Sequence, residues 1–146
     1  MGVREQGRNA GAEVERIIKF AGGRVGDAWC SWYAVACMRW AGVLVPRFGA
    51  ARAWFDKVHT VYLAGHPVPG KPAPQPADLL GFRWGNPQIS HVEILKLWGT
   101  GAFCRSLGGN TGGGGARQRE GEGVYENWRQ KRQVWAVANV IDNPKY

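Results

Sequence analysis

The helix-forming and strand-forming patterns of this chain lie in separate halves, on either side of a proline-rich segment. In the first half, Glu13 to Phe20 place apolar residues at helical spacing, and Ala28 to Ala41 contain neither glycine nor proline. The stretch from His66 to Pro76, HPVPGKPAPQP, has too many prolines for a helix or a central strand and predicts an extended surface loop. This order predicts an α+β domain with N-terminal helices packed on an antiparallel sheet.

Turn residues set the expected limits of the elements. The first helix is expected to end at Gly22-Gly23 and the central helix at Gly42, and a third helical candidate runs from Ala50 to Val58. The 146 residues are enough for one domain, which we place at 1–146. The expected strands are Asp78 to Phe82, His91 to Trp98, Ala102 to Leu107 and Val134 to Ile141.

The turn Gly99-Thr100-Gly101 predicts a tight hairpin between the second and third of these strands. If Gly99 pairs with Ala102, the antiparallel ladder places His91 opposite Asn110, and a slip of one residue places Gly109 there instead. Either register brings His91 close to the GGN segment.

The net charge of +8 and the pI near 9.9 predict attraction to polyanions such as nucleic acid, anionic membranes and bacterial wall polymers. No ribonucleoprotein motif, zinc-ligand spacing or helix-turn-helix signature accompanies the charge, which argues against specific nucleic-acid binding. No apolar stretch reaches the about 20 residues of a membrane span, and the first residues lack the apolar core of a signal peptide. We therefore expect a protein made in the cytoplasm.

Cys30 occupies a position that would activate a nucleophile. Asp27 is expected to cap the central helix, which would make Cys30 the third helical residue, and the helix dipole there favours thiolate over thiol. Because the Asp27 carboxylate opposes a second negative charge, the thiol also needs a histidine base and a group that orients the ring. His91 and Asn110 are the candidates for these roles.

Each of these residues has a commoner explanation when it is taken singly. Cysteines are usually small buried apolar residues, as we expect for Cys37 and Cys104, and Cys30 and Cys37 lie too far apart along a helix for a disulfide. Together, however, the segments GDAWCSWYAVACMRWAG, PADLLGF, SHVEIL and GGNTGG resemble the CHAP domain (cysteine, histidine-dependent amidohydrolase/peptidase) over nearly the whole chain.

The resemblance implies a papain-like fold and the hydrolysis of peptidoglycan amides, either between muramic acid and L-Ala or within the stem peptide and cross-bridge. It implies Cys30 as nucleophile, His91 as base and Asn110 as the orienting group, with no metal or other cofactor. Some CHAP domains bind calcium before the cysteine, but GRVGD offers only Asp27, too few oxygens for such a site. Gly108 stands where the family often has a glutamate two residues before the asparagine.

Glu93 follows His91 by two residues, so both side chains point to one face of the strand. It either replaces the missing carboxylate or, as we expect on geometric grounds, lies at the rim of the site. Trp29 and Trp84 are the candidate substrate-binding residues, because flat aromatic faces stack on sugars and stem peptides. The backbone N–H of Cys30 is the expected oxyanion donor.

A short basic hydrolase without an export signal resembles a phage endolysin held in the host cytoplasm until its release to the wall, or a secreted antibacterial effector amidase. We expect a monomer whose partners are peptidoglycan and anionic wall polymers. The alternative is a non-catalytic wall-binding or virion structural module of the same fold, supported only by the missing glutamate at position 108.

Overall fold

The computed structural model describes residues 2–111 and 123–146, without the side chains of Asn110 and Thr111. Helix α1 spans Ala12–Ala21 and buries Val14, Ile17 and Ile18. It ends, as predicted, at the glycine pair: Gly22 takes a left-handed φ of 102°, and the N–H of Gly23 donates to Ile18 O at 2.8 Å.

Helix α2 spans Cys30–Trp40 and packs between α1 and the sheet, so it is buried on most of its circumference. Beyond it, the predicted third helix is reduced to a single 3-10 turn, Ala51–Trp54. The Asp56 carboxylate accepts the backbone N–H of His59 at 2.8 Å, and this turn leads the chain into a strand. The prediction of a helix to Val58 is therefore wrong.

Seven strands form one antiparallel sheet in the part of the chain that the structure describes, in the order β2-β1-β7-β3-β4-β5-β6. The predicted α+β class is confirmed. The sequence analysis missed three strands: β1 and β6, and β2, a two-residue edge strand within the segment predicted as a loop. The strands are β1 Thr60–Leu63, β2 His66–Pro67, β3 Leu79–Phe82, β4 His91–Leu97, β5 Phe103–Thr111, β6 Gly123–Gln130 and β7 Ala136–Ala138.

The hairpin of β4 and β5 follows the predicted register in its middle. Ile94 pairs with Leu107 and Leu95 with Ser106, whereas an irregularity nearer the turn shifts Leu97 onto Arg105. The predicted opposition of His91 and Asn110 continues this register by three residues, beyond the pairs that the ladder contains.

None of the described helices is long and apolar enough to cross a bilayer. Two apolar clusters cover the two faces of the sheet: the helices pack on residues such as Leu79 and Val92, and the opposite face carries Leu80, Phe82 and Leu95. His91 and Glu93 alternate with the helix-side residues of β4 and are buried on the second face. Buried polar groups require partners, and these partners build the site.

Candidate active site

Cys30 lies at the start of α2 and lines a cavity of about 400 Å³. It is the first residue of the helix rather than the third, because the N-cap is Trp29 and no side chain caps the helix. Asp27 does not cap it: its carboxylate accepts the Arg24 N–H at 2.9 Å and the Trp32 indole N–H at 3.0 Å. The predicted capping role of Asp27 is therefore wrong, and its carboxylate is held in other bonds.

His91, the first residue of β4, is fully buried beside Cys30. Its Nε2 lies 2.9 Å from Oε2 of Glu93. The other ring nitrogen, Nδ1, is buried without a hydrogen-bond partner among the described residues, and Cys30 and His91 are close enough for each to shift the pKa of the other. This leaves Nδ1 as the ring nitrogen that faces the sulfur.

Burial by itself raises the pKa of the Cys30 thiol, but the adjacent positive charge of His91, with the backbone N–H groups of Val92 and Ser31, brings it below its ordinary value. Burial by itself lowers the pKa of His91, but Cys30 and Glu93 raise it to about 9. The two shifts favour a thiolate–imidazolium pair at neutral pH.

Glu93 is 1% exposed, and both carboxylate oxygens are bound. Arg129 of β6 donates through Nε to Oε1 at 2.8 Å and through Nη2 to Oε2 at 2.5 Å, and the Ser106 hydroxyl donates to Oε1 at 2.5 Å. Burial raises the pKa of this carboxyl, but the bonds and charges of Arg129 and His91 lower it to about 2. Glu93 is therefore an anion at neutral pH, and its predicted place at the rim is wrong.

Gly108 of β5 makes room for this carboxylate. A Cβ at position 108 would lie 2.6 Å from Glu93 Oε2 and 2.9 Å from its Cδ. Position 108 has no glutamate, and the carboxylate of Glu93 on the neighbouring strand occupies the space that a side chain at position 108 would take. The sequence could have indicated this position of Glu93, since Glu93 and Gly108 are opposite each other in the predicted register.

Asn110 lies on β5, but its side chain is outside the described residues, so its predicted contact with His91 stays a prediction. The far ring nitrogen, which that prediction gave to Asn110, is bound by Glu93.

The two predicted substrate-binding tryptophans differ. Trp29 is fully buried, and its indole N–H donates to Glu5 at 2.7 Å, so its prediction as a substrate-binding residue is wrong. Trp84 is partly exposed and stacks on His91 with 4.6 Å between ring centroids. The guanidinium of Arg129 also lies near it, 5.2 Å from the ring centroid. Trp84 takes a left-handed φ of 46°, a strained conformation for a bulky residue, and in this place it covers the imidazole.

Cys37 and Cys104 are free thiols whose pKa values are raised by burial, that of Cys104 to about 11. Cys30 is thus set apart from both by its lowered pKa. Within residues 2–111 and 123–146, no group of three or more His, Cys, Asp or Glu side chains is arranged to hold a metal ion. The site as described is suited to attack by sulfur on a carbonyl group, with proton transfer through His91.

Comparison with known proteins gives no significant match to a protein-family model, a curated protein or a solved structure.

Proposed function

We propose that this protein hydrolyses amide bonds of bacterial peptidoglycan by a thiol mechanism in a papain-like CHAP fold. The single observation that carries the proposal is the buried His91 ring, hydrogen-bonded to Glu93 on one side and adjacent to Cys30 on the other, with the sulfur at the wall of an open cavity. Burial destabilises both the thiolate and the imidazolium, so the pair costs folding free energy. Groups with pKa values perturbed in this way are concentrated at functional sites.

The residues have distinct roles in the proposed reaction. The Cys30 thiolate attacks the amide carbonyl, and the oxyanion is stabilised by the backbone N–H of Cys30, which has no partner within α2 because it begins the helix. The His91 imidazolium gives its proton to the leaving amine, and a thioester forms. His91 then takes a proton from water as the water oxygen attacks the thioester, and this releases the carboxylic acid and restores the Cys30 thiolate beside the His91 imidazolium.

Glu93 is a positioning residue in this scheme. Its hydrogen bond to Nε2 fixes the ring so that Nδ1 faces the sulfur, and its negative charge stabilises the imidazolium. Arg129 and Ser106 hold the carboxylate in turn. Asn110 stays the predicted orienting residue from the resemblance, and it would act together with Glu93.

Peptidoglycan as substrate rests on the resemblance of the motifs around Cys30, His91 and Asn110 and on the net charge of +8, which attracts the protein to anionic wall polymers. An endolysin or a secreted antibacterial effector are the biological settings we propose. The alternative of a non-catalytic module of the same fold is disfavoured by the lowered pKa of Cys30, since an idle fold does not need an activated thiol.

Purified peptidoglycan incubated with the protein should release new amino groups, and Cys30→Ala should release none. Mass spectrometry of the soluble fragments then identifies the bond. Cys37→Ala is the matched control, because it removes a thiol whose pKa is raised and which lies on the same helix. Equal amine release by the wild type and Cys30→Ala would overturn the thiol mechanism, and absence of release by both would favour the binding module.

A further inference from the structure

Apart from the Cys30 thiolate, the wall of the cavity carries one charged side chain, that of Arg52. Arg52 has no hydrogen-bond or ion-pair partner within the described part of the chain. Asn86 and Gln88 also line the cavity. An unpaired guanidinium is a fork of donors whose geometry fits a carboxylate.

The backbone of Arg52 is tied to the helix that carries the nucleophile. Arg52 lies in the 3-10 turn whose last residue, Trp54, is fully buried. The Trp54 indole N–H donates at 2.8 Å to the hydroxyl of Ser31, the residue after Cys30, and this hydroxyl donates to Phe48 O at 2.5 Å. The tie keeps the start of the Arg52 side chain at a fixed position relative to the sulfur.

The cavity has the size and shape for a short peptide segment. Its volume of about 400 Å³ accommodates a few residues, and much of the wall near Arg52 consists of small side chains. Gly49 is required there, because a Cβ at that position would lie 2.6 Å from the Trp32 ring. The wall residues with small side chains are Ala28, Gly49, Ala50 and Ala51.

We propose that Arg52 is a specificity-determining residue that binds a free carboxylate of the substrate close to the scissile amide. This deepens the proposed function and rests on it for the identity of the substrate: stem peptides carry free carboxyl groups, which in some walls are carboxamides. The protein would then prefer walls whose stem peptides are not amidated.

Two alkylating reagents of nearly equal size test the charge preference without any substrate. Iodoacetate carries a carboxylate where iodoacetamide carries a carboxamide, and both react with Cys30. The ratio of the iodoacetate to the iodoacetamide rate should fall at least threefold in Arg52→Gln and stay within twofold of the wild type in Arg52→Lys. Arg16→Gln, which removes an exposed arginine from α1, should leave the ratio unchanged. An unchanged ratio in Arg52→Gln, with unchanged thermal unfolding, would overturn the proposal.

Synthetic stem peptides with a free or an amidated carboxyl group then test the preference in turnover. A charge-assisted bond predicts a preference for the acid on the order of tenfold to a hundredfold, lost in Arg52→Gln through KM rather than kcat. A preference that persists in Arg52→Gln would overturn the assignment. If the alkylation ratio depends on Arg52 but neither peptide is cleaved, the proposed function fails while the carboxylate-binding role of Arg52 stands.

Discussion

Replacing Gly108 by alanine tests whether the position of the Glu93 carboxylate controls the thiol. The added Cβ would lie 2.6 Å from Glu93 Oε2, whereas ordinary contact begins at 3.4 Å, so the oxygen must move by about 0.8 Å. Arg129, which binds both oxygens, and Ser106, which binds Oε1, hold the carboxylate and resist this movement. The bond from Glu93 to His91 Nε2, now 2.9 Å, would lengthen beyond hydrogen-bonding range or the backbone of β5 would shift.

Gly108→Ala is expected to lower the reactivity of the Cys30 thiol more than the stability of the fold. Overpacking of this kind destabilises a protein by about 1–3 kcal/mol. A misplacement of about 1 Å lowers turnover roughly a hundredfold. Loss of the carboxylate from Nε2 weakens the imidazolium, so the pKa of the Cys30 thiol rises toward its ordinary value.

The assay is the rate of iodoacetamide alkylation of Cys30 as a function of pH, with mass spectrometry to assign the modified residue. The pH of half-maximal rate should rise by about one unit in Gly108→Ala. Gly101→Ala is the matched control, because a Cβ there meets nothing within 4 Å. If Gly108→Ala folds and keeps the wild-type pH profile, the carboxylate does not control the thiol. Should Gly108→Ala not fold, Glu93→Gln tests the same point without added volume.

The remaining predictions concern pH and salt. Turnover should follow a bell-shaped curve, limited at low pH by protonation of Cys30 and falling above about pH 9 as His91 loses the proton needed by the leaving amine; a plateau to pH 11 would contradict this. Because the pKa of Glu93 is depressed, its ionised carboxylate adds about 3 kcal/mol to the free energy of unfolding above about pH 4.5, and this contribution is lost as pH falls toward 2. Acid unfolding should show this pH dependence in the wild type and not in Glu93→Gln. Burial of Asp78 raises the pKa of its carboxyl to about 6, so the stability that its neutral form gives to the fold is lost as pH rises through 6. Asp78→Asn should therefore raise the unfolding temperature at pH 7.5 and should not raise it at pH 3. Lysis of bacterial walls should weaken as salt is added, because the net charge of +8 is screened; equal lysis at low and high ionic strength would contradict that role of charge.

Local sequence signals predicted the parts of the fold that depend on neighbours along the chain. The glycine pair that ends α1, the start of β4 at His91 and the central register of the β4–β5 hairpin all follow from turn residues and periodicity. The placement of Cys30 at the start of the central helix was predicted as well, although its position within the first turn was wrong by two residues because Asp27 does not cap the helix.

By itself the sequence determined the α+β class, the hairpin and the candidate pair of Cys30 and His91, since each depends on short-range pattern or on motif. Only the tertiary structure decided that Glu93 is a buried anion. The Glu93 carboxylate is bound by Arg129, which is 36 residues away on a strand that the sequence analysis missed. It fits between the strands because position 108 is a glycine. The burial of Trp29 was likewise decided by packing. Whether a polar or aromatic side chain is buried or exposed depends on distant segments that cover it, and no local pattern encodes that contact.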